Sequence, residues 1–361
     1  MSETNEAKER LDKVIAKARH CLYKPIQIAE ILYRHRTQGN IDPSKLETYR
    51  RVSNTWKADV AVRLLGRKPC LNSRYEDQLF DEPVMPPRIL SKLAEINTSA
   101  ETPAVVEVYI YDKVGGSCLL IGDMARGLQS VHPRDFKWTQ FIRYFEGEPR
   151  LRRSVDKVYE ISVYALFDTL TKYLQATVSL SVSKESLAVL KDFEKFAKIV
   201  LGVDTNNLTI TQPARLFRLG VTNAADARID MWANFGPAVQ VKHVTLDPST
   251  ASQILSDLQA EKLVVVCKRA ERQVIDSVMR QVGLKNKIRG FITEADLIEW
   301  YDLCMSQKYA ASIGKDVLSA LLNEFTFEFP LSKSAAIDEF FQERHYSRDL
   351  LQGVWARPRG Q

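Results

Sequence analysis

Apolar residues recur every three or four positions in the first part of the chain, a spacing typical of amphipathic helices. Leu11, Val14 and Ile15 show this spacing in the first segment. A Pro near the start and a Gly at the end delimit the second segment, Pro25 to Gly39. The pattern predicts four helices before residue 70: 3–19, 25–36, a short one after Asp42 and Pro43, and 54–65. The N-terminal region is therefore predicted to be largely helical.

The middle of the chain shows a different pattern. Residues 105–111 read Val-Val-Glu-Val-Tyr-Ile-Tyr, a β-branched and aromatic run typical of a strand. Residues 117–121 are a second candidate strand, with Gly115 and Gly116 between the two. A helix is predicted near 88–96, and 158–180 is predicted to be a helix followed by a strand.

Beyond about residue 183 the pattern predicts an α/β unit. Its order is a helix over 183–202, a strand near 228–232, a turn at Gly236, a strand over 239–244, a helix over 248–259 and a buried strand over 263–267. We therefore predict an α/β (α+β overall) fold with two parts: residues 1–175, basic and mostly helical, and residues 176–361, a catalytic domain with a helical C-terminal extension.

The positive charge is concentrated at one end. The chain has 51 Lys and Arg against 45 Asp and Glu, and residues 1–70 alone hold 15 basic against 8 acidic side chains. Such a concentration indicates a polyanionic partner, usually nucleic acid. A solvated basic face is the alternative explanation of the same charges.

Several function classes lack the sequence features they require. The apolar run at 263–267 falls far short of the about 20 residues of a membrane span, and the polar N-terminus has no signal-peptide core. The five cysteines contain no CxxC pair for zinc or redox chemistry. Gly115 and Gly116 lack the context of a phosphate-binding loop, so no nucleotide cofactor is expected. These features predict a cytoplasmic protein with reduced thiols.

The residues that we interpret as catalytic are Asp230, Gln240 and Lys242. Gln240 and Lys242 share one face of the predicted strand, and a hairpin at 234–237 brings Asp230 beside Gln240. One carboxylate, one amide oxygen and the Val241 carbonyl then form a set of oxygen ligands suited to Mg²⁺, which keeps several waters for hydrolysis. Lys242 would orient the attacking water or stabilise charge on a phosphate. An exposed edge hairpin with Lys242 in solvent is the structural alternative.

This segment resembles the PD-(D/E)xK nuclease superfamily in the variant where Gln replaces the second acid. The α-β-β-β-α-β order predicted around it is that of the superfamily core, here about residues 180–290. Ile229 stands in place of the Pro of the motif, and Gln240 lowers the charge of the site. The resemblance leaves room for one more acidic metal ligand on the preceding helix, and Glu194 or Glu185 is the candidate; either is also explained as a surface residue.

The whole chain is similar to the HaeII-type restriction endonucleases. The similarity lies in Leu22–Glu30, in Tyr49-Arg50 with Trp56, in 106–111, and in Asp230, Gln240 and Lys242. It implies a type II enzyme that requires Mg²⁺ and cuts double-stranded DNA at a short palindrome, and therefore a homodimer with matching two-fold symmetry.

Basic residues of the N-terminal part are candidates for DNA contacts, since a guanidinium can bridge the O6 and N7 atoms of guanine. They are Arg34, Arg36, Arg50, Arg51, Arg67, Lys68 and Arg74. Each is also explained by a phosphate contact or an internal salt bridge. Two other functions stay open at this point: a repair or recombination nuclease of the same fold that reads DNA structure, and a DNA-binding regulator without catalysis.

Overall fold

The computed structural model describes residues 3–18, 22–69, 78–219, 229–246, 262–270, 288–329 and 334–356. The chain divides into two compact units. The first comprises Met1–Ser130, Arg143–Val155 and Leu322–Gln361, and the second comprises Val131–Ile142 and Asp156–Leu321. The predicted boundary at residue 175 divides the chain by function and stays a prediction. The division by contacts differs from it, because the C-terminal segment belongs to the first unit.

The described α-helices alternate with short turns in the first unit and flank the sheet strands in the second. In chain order they are α1 (Glu3–Lys17), α2 (Tyr23–Gln38), α3 (Val52–Leu65), α4 (Pro87–Asn97), α5 (Val105–Ser130), α6 (Trp138–Gly147), α7 (Val155–Tyr173), α8 (Leu187–Asp192), α9 (Glu194–Phe196), α10 (Glu294–Cys304), α11 (Lys315–Glu328) and α12 (Ser334–Glu343). Two π-helical turns, Ala197–Leu201 and Ala310–Gly314, follow α9 and precede α11. None of the helices in the described ranges is long and apolar enough to cross a membrane.

The helices predicted at the N-terminus are confirmed. Ala7, Leu11 and Val14 form the buried face of α1, at the spacing that the sequence shows. Helix α2 ends at Gly39, which adopts φ +67° and so accommodates the left-handed C-cap that favours glycine. The short third helix is a 3₁₀ turn at Leu46–Thr48.

The two strands predicted at 105–111 and 117–121 are wrong, because both segments lie in the single helix α5. This helix is buried around much of its circumference and therefore carries apolar residues at consecutive positions, a run that does not distinguish a buried strand from a buried helix. A Cβ atom on Gly115 would lie 3.2 Å from a side-chain carbon of Ile337, so the absence of a side chain there allows α12 to approach closely.

Seven described strands form two sheets. In chain order they are β1 (Thr177–Ser181), β2 (Thr209–Pro213), β3 (Leu216–Arg218), β4 (Met231–Ala233), β5 (Pro237–Leu246), β6 (Lys262–Ala270) and β7 (Ile288–Thr293). The larger sheet has the order β3-β4-β5-β6-β7. Its first three strands are antiparallel, and β5, β6 and β7 are parallel. The predicted strands over 239–244 and 263–267 lie within β5 and β6, and the mixed helix and sheet content confirms the α+β prediction. The helix predicted over 248–259 lies outside the described residues.

Strands β1 and β2 form a separate antiparallel pair, and the helical segment between them carries the helix predicted over 183–202. The three fully buried side chains of this part, Leu190, Ala197 and Val203, form a small core of their own. Most of the apolar positions that gave the helical pattern are exposed. The prediction of a helix is therefore right, whereas in the described part of the chain its apolar face is mostly exposed instead of buried.

Candidate active site

Asp230 lies immediately before β4 and is fixed to the neighbouring strand β5 by two hydrogen bonds. Its backbone N–H donates to the Val239 carbonyl at 3.0 Å. Its carboxylate Oδ2 accepts the backbone N–H of Val241 at 2.7 Å. The structure thus places Asp230 beside the middle of β5, as the hairpin predicted from the sequence requires.

Gln240 and Lys242 lie two residues apart on β5 and so project from the same face of the strand. Gln240 is 1% exposed, and its Oε1 atom has no hydrogen-bond partner among the residues that the structure describes. Buried polar atoms normally have a partner, so this oxygen is available to a ligand. Lys242 is half-buried, and its strand β5 is the central strand of the larger sheet instead of an edge strand.

The electrostatics of Asp230 indicate a site for positive charge. Burial raises the pKa of Asp230 to about 6, and the nearby carboxylate of Glu160 contributes to the rise. The hydrogen bond from Val241 and the positive charges of Lys242 and Lys157 lower the pKa and only partly offset this effect. A buried carboxylate whose charge is compensated in this incomplete way is typical of functional sites.

Glu160 on α7 is the functional candidate that the sequence reasoning missed. It is almost fully buried and accepts hydrogen bonds from Arg218 at 3.1 Å and from Lys157 at 2.5 Å. The available signal was an acidic residue inside the apolar run 158–163. That signal does not identify a site by itself, because the pairing of Glu160 with Arg218 joins parts of the chain 58 residues apart.

Glu194, the acid proposed on the preceding helix, is placed differently. It is exposed on the short helix α9, and its carboxylate accepts a hydrogen bond from Thr205 at 3.2 Å. Glu185 is exposed as well. Glu160 is the additional acid whose charge acts on Asp230.

The donor atoms at this site fit a hard divalent cation. Among the residues described, no three His, Cys, Asp or Glu side chains are grouped as a metal site. The set formed by Asp230, Gln240 and the Val241 carbonyl lies outside that definition, because two of its three donors are amide oxygens. Carboxylate and amide oxygens are the ligand types that Mg²⁺ binds, and the unpartnered Gln240 oxygen is the observation that supports the fit.

Three of the predicted DNA-contacting residues make contacts within the protein that the structure shows. Arg36 forms two hydrogen bonds of 2.9 Å with the fully buried carboxylate of Glu107, which indicates a structural role. Arg67 donates to the carbonyls of Phe327 and Glu328. The guanidinium of Arg34 lies 5.3 Å from the ring of Trp56.

The remaining candidates are exposed or outside the described structure. Arg50, Arg51 and Lys68 have exposed side chains in the first unit. Arg74 lies outside the described residues. The exposed side chains of Arg50, Arg51 and Lys68 are accessible, as a contact with DNA requires.

Comparison with known proteins gives a consistent result over nearly the whole chain. The family model described as HaeII restriction endonuclease matches residues 7–346. The chain is 41% identical to the type II restriction enzyme HaeII of Haemophilus aegyptius over 97% of its own length and 99% of that protein. It is 39% identical to the type II restriction enzyme NgoBI of Neisseria gonorrhoeae, over 95% of this chain and 97% of that protein. No solved structure matches the chain significantly. The extent of the family match and the identity to these two enzymes show that the chain belongs to the HaeII restriction endonuclease family.

Proposed function

We propose that Asp230, Gln240 and Lys242 form the active site with which this chain, a type II site-specific deoxyribonuclease, hydrolyses phosphodiester bonds of double-stranded DNA. Family membership favours a restriction enzyme over the repair nuclease and the regulator that the sequence left open. The observation that carries the assignment is the buried, unpartnered Gln240 oxygen on the strand that also fixes the Asp230 carboxylate.

The chain's own residues have distinct roles in this proposal. Val241 donates its N–H to one Asp230 oxygen and so orients the carboxylate. Asp230, Gln240 and the Val241 carbonyl would hold a divalent cation, for which we propose Mg²⁺. When bound, the cation would lower the pKa of water and neutralise charge on the phosphate.

Lys242 is placed to act on the water and the phosphate. Its ammonium group lies close enough to Asp230 to lower the pKa of that carboxyl, so it belongs to the same site. It would orient the attacking water and stabilise the negative charge that develops on the phosphate oxygens. In-line attack of water on phosphorus, with departure of the 3′ oxygen, leaves a 5′-phosphate and a 3′-hydroxyl.

Glu160 is a positioning residue in this scheme. Its bonds to Arg218 and Lys157 hold one negative charge beside Asp230. The two carboxylates together make the site more favourable for a cation than Asp230 alone.

The exposed basic residues of the first unit would contact DNA, and a palindromic site would be bound by a homodimer whose two-fold axis coincides with that of the DNA. The substrate of such an enzyme is DNA inside the cell, so we propose a cytoplasmic location.

The test uses unmethylated plasmid DNA with Mg²⁺ or with EDTA. The wild-type protein is expected to give discrete fragments only with Mg²⁺, and mapped fragment ends would give the recognition site. Asp230→Asn is expected to abolish cleavage, whereas the control Asp302→Asn, an exposed acid of the same unit, is expected to leave it intact. Full cleavage by the Asp230 variant would show that the active site lies elsewhere.

A further inference from the structure

The helical segment between β1 and β2 exposes an unusual number of large apolar side chains. Their exposed fractions run from 56% to 71%. They are Val189, Phe193, Phe196, Ile199 and Val200, and we call them the apolar face. Charged residues on the surface of the same segment are ordinary, but a cluster of five large apolar ones in twelve positions is typical of a binding surface.

The part of the chain that carries this face has little core of its own. Among the residues that the structure describes, Leu190, Ala197 and Val203 form its buried cluster, and its sheet has two strands. A two-stranded sheet is marginally stable in water unless something packs against it. Covering the apolar face would therefore supply burial that this part of the chain lacks.

We propose that the apolar face is the surface through which two copies of this chain associate. This inference rests on the proposed function, since cleavage of a palindrome is what calls for a two-fold assembly. In such an assembly each copy presents the same face, and Phe193 lies near the middle of that face along the chain.

The area of the apolar face is what the centre of a dimer interface needs. Two phenylalanines and three aliphatic side chains exposed to this extent present on the order of 500 Å² of apolar surface. A standard interface buries about 800 Å² on each partner, with an apolar centre and a polar rim. The apolar face supplies the centre of such an interface.

The charges around the face favour a second copy over a polyanion. Residues 184–201 carry four lysines and three acids, so the segment has almost no net charge. Lys191 precedes Asp192 and Glu194 precedes Lys195, so basic and acidic side chains alternate around the apolar face. A face of mixed sign can meet an identical copy without the repulsion that a uniformly charged face would cause.

The face is also connected to the catalytic strand. Asn234 donates from Nδ2 to the carbonyl of Pro213, the last residue of β2, at 3.0 Å. Its Oδ1 accepts the backbone N–H of Arg215 at 2.8 Å. Because Asn234 follows Asp230 by four residues, the part that carries the face is held to the hairpin that presents the active site.

The experiment is sedimentation equilibrium of the full chain without DNA and with EDTA. Wild-type protein is expected to sediment at twice the chain mass of 41.2 kDa. Phe193→Glu and, separately, Ile199→Asp are expected to raise the dissociation constant by at least about 30-fold, since truncation of a central interface residue commonly costs 2 kcal/mol or more. The matched control is Phe327→Glu, which replaces an equally exposed phenylalanine of the first unit and is expected to leave the mass unchanged.

Circular dichroism and urea unfolding establish that each variant is folded, and the two variants guard against misfolding of one. A monomeric wild-type protein, folded face variants that stay dimeric, or dissociation by the control as well would each overturn the inference. Plasmid cleavage distinguishes a failure of this inference from a failure of the proposed function. If the wild-type protein is a dimer that the face variants dissociate, but it cuts no DNA, the interface is supported and the nuclease is refuted. If the protein cuts DNA but the face variants do not change its mass, the nuclease is supported and the interface is refuted.

Discussion

The backbone N–H of Val241 donates to the Asp230 carboxylate at 2.7 Å, so the strand that carries Gln240 and Lys242 also orients the carboxylate. One backbone hydrogen bond thus joins the Asp230 carboxylate to the strand that carries the other two predicted site residues. The same burial that protects this bond raises the pKa of Asp230 to about 6, because a charged carboxylate loses its hydration there.

Replacing Asp230 with Asn is expected to stabilise the cation-free protein at pH 8. The folded-state pKa of about 6 lies above the ordinary 3.8, so the folded protein holds its proton more tightly than the unfolded chain. The free energy of unfolding of the wild type therefore decreases as the pH rises from about 4 to about 6 and stays lower above that range. The Asn variant lacks this titration and should be more stable by roughly 2–3 kcal/mol at pH 8, with little advantage at pH 4.

Urea unfolding of both proteins in EDTA at pH 4 and pH 8 measures the difference. The Asn side chain still accepts the Val241 N–H through its amide oxygen, so the hydrogen bond is retained in the comparison. If the wild type and the Asn variant were equally stable at pH 4 and also at pH 8, the Asp230 carboxyl would not be desolvated in the way that the structure indicates.

Gln240→Glu is expected to strengthen Mg²⁺ binding while destabilising the cation-free protein. The substitution adds a second buried negative charge beside Asp230, and the affinity of oxygen sites for divalent cations rises with ligand charge, here on the order of tenfold. The measurement is the Mg²⁺-induced rise in melting temperature, which should be larger than in the wild type. Gln212→Glu on the exposed strand β2 is the matched control and should leave the Mg²⁺ response unchanged. An unchanged response in the Gln240 variant would argue against a cation at this oxygen.

The parts of the fold that the sequence predicted well are those whose pattern has one explanation. Strands β5 and β6 contain β-branched runs, and the N-terminal helices have clear ends such as Gly39. The hairpin that brings Asp230 beside β5 follows from the short turn at 234–237. In each case local periodicity and local turn chemistry agree with the final structure.

The parts that escaped prediction depend on contacts between distant residues. Helix α5 resembles a strand in sequence because the surrounding helices bury it on most sides, which removes its polar face. Glu160 joins the site only through its pairing with Arg218 and its nearness to Asp230. The sequence likewise does not predict that Phe193 is exposed, because the apolar residues around it have the spacing of a buried helix.

Glu160→Gln is expected to lower the rate of DNA cleavage by roughly 10–100-fold, the range found when a residue that supports metal ligands is replaced. The amide keeps hydrogen-bonding capacity toward Arg218 but removes the negative charge beside Asp230. A higher Mg²⁺ concentration should therefore be needed for half-maximal cleavage. Glu194→Gln, which changes an exposed acid in the same way, serves as the control and should cleave normally. The reverse result, loss in the Glu194 variant alone, would restore Glu194 as the additional acid of the site.

Arg36 and Arg51 are both arginines of the basic N-terminal region, but Arg36 is paired with a buried acid whereas Arg51 is exposed. Arg36→Ala leaves the buried Glu107 carboxylate without its ion-pair partner, although Asn97 and Tyr346 still donate to it. We expect a loss of about 3 kcal/mol in the free energy of unfolding, because one member of a buried pair is removed.

Arg51→Ala should leave the free energy of unfolding unchanged, since the Arg51 side chain is exposed. It should instead weaken DNA binding in EDTA uniformly across sequences and reduce the salt slope of binding by about one if Arg51 contacts a phosphate. Urea unfolding and salt-dependent fluorescence anisotropy on both variants separate the two roles, and a destabilised Arg51 variant or a fully stable Arg36 variant would contradict the assignment.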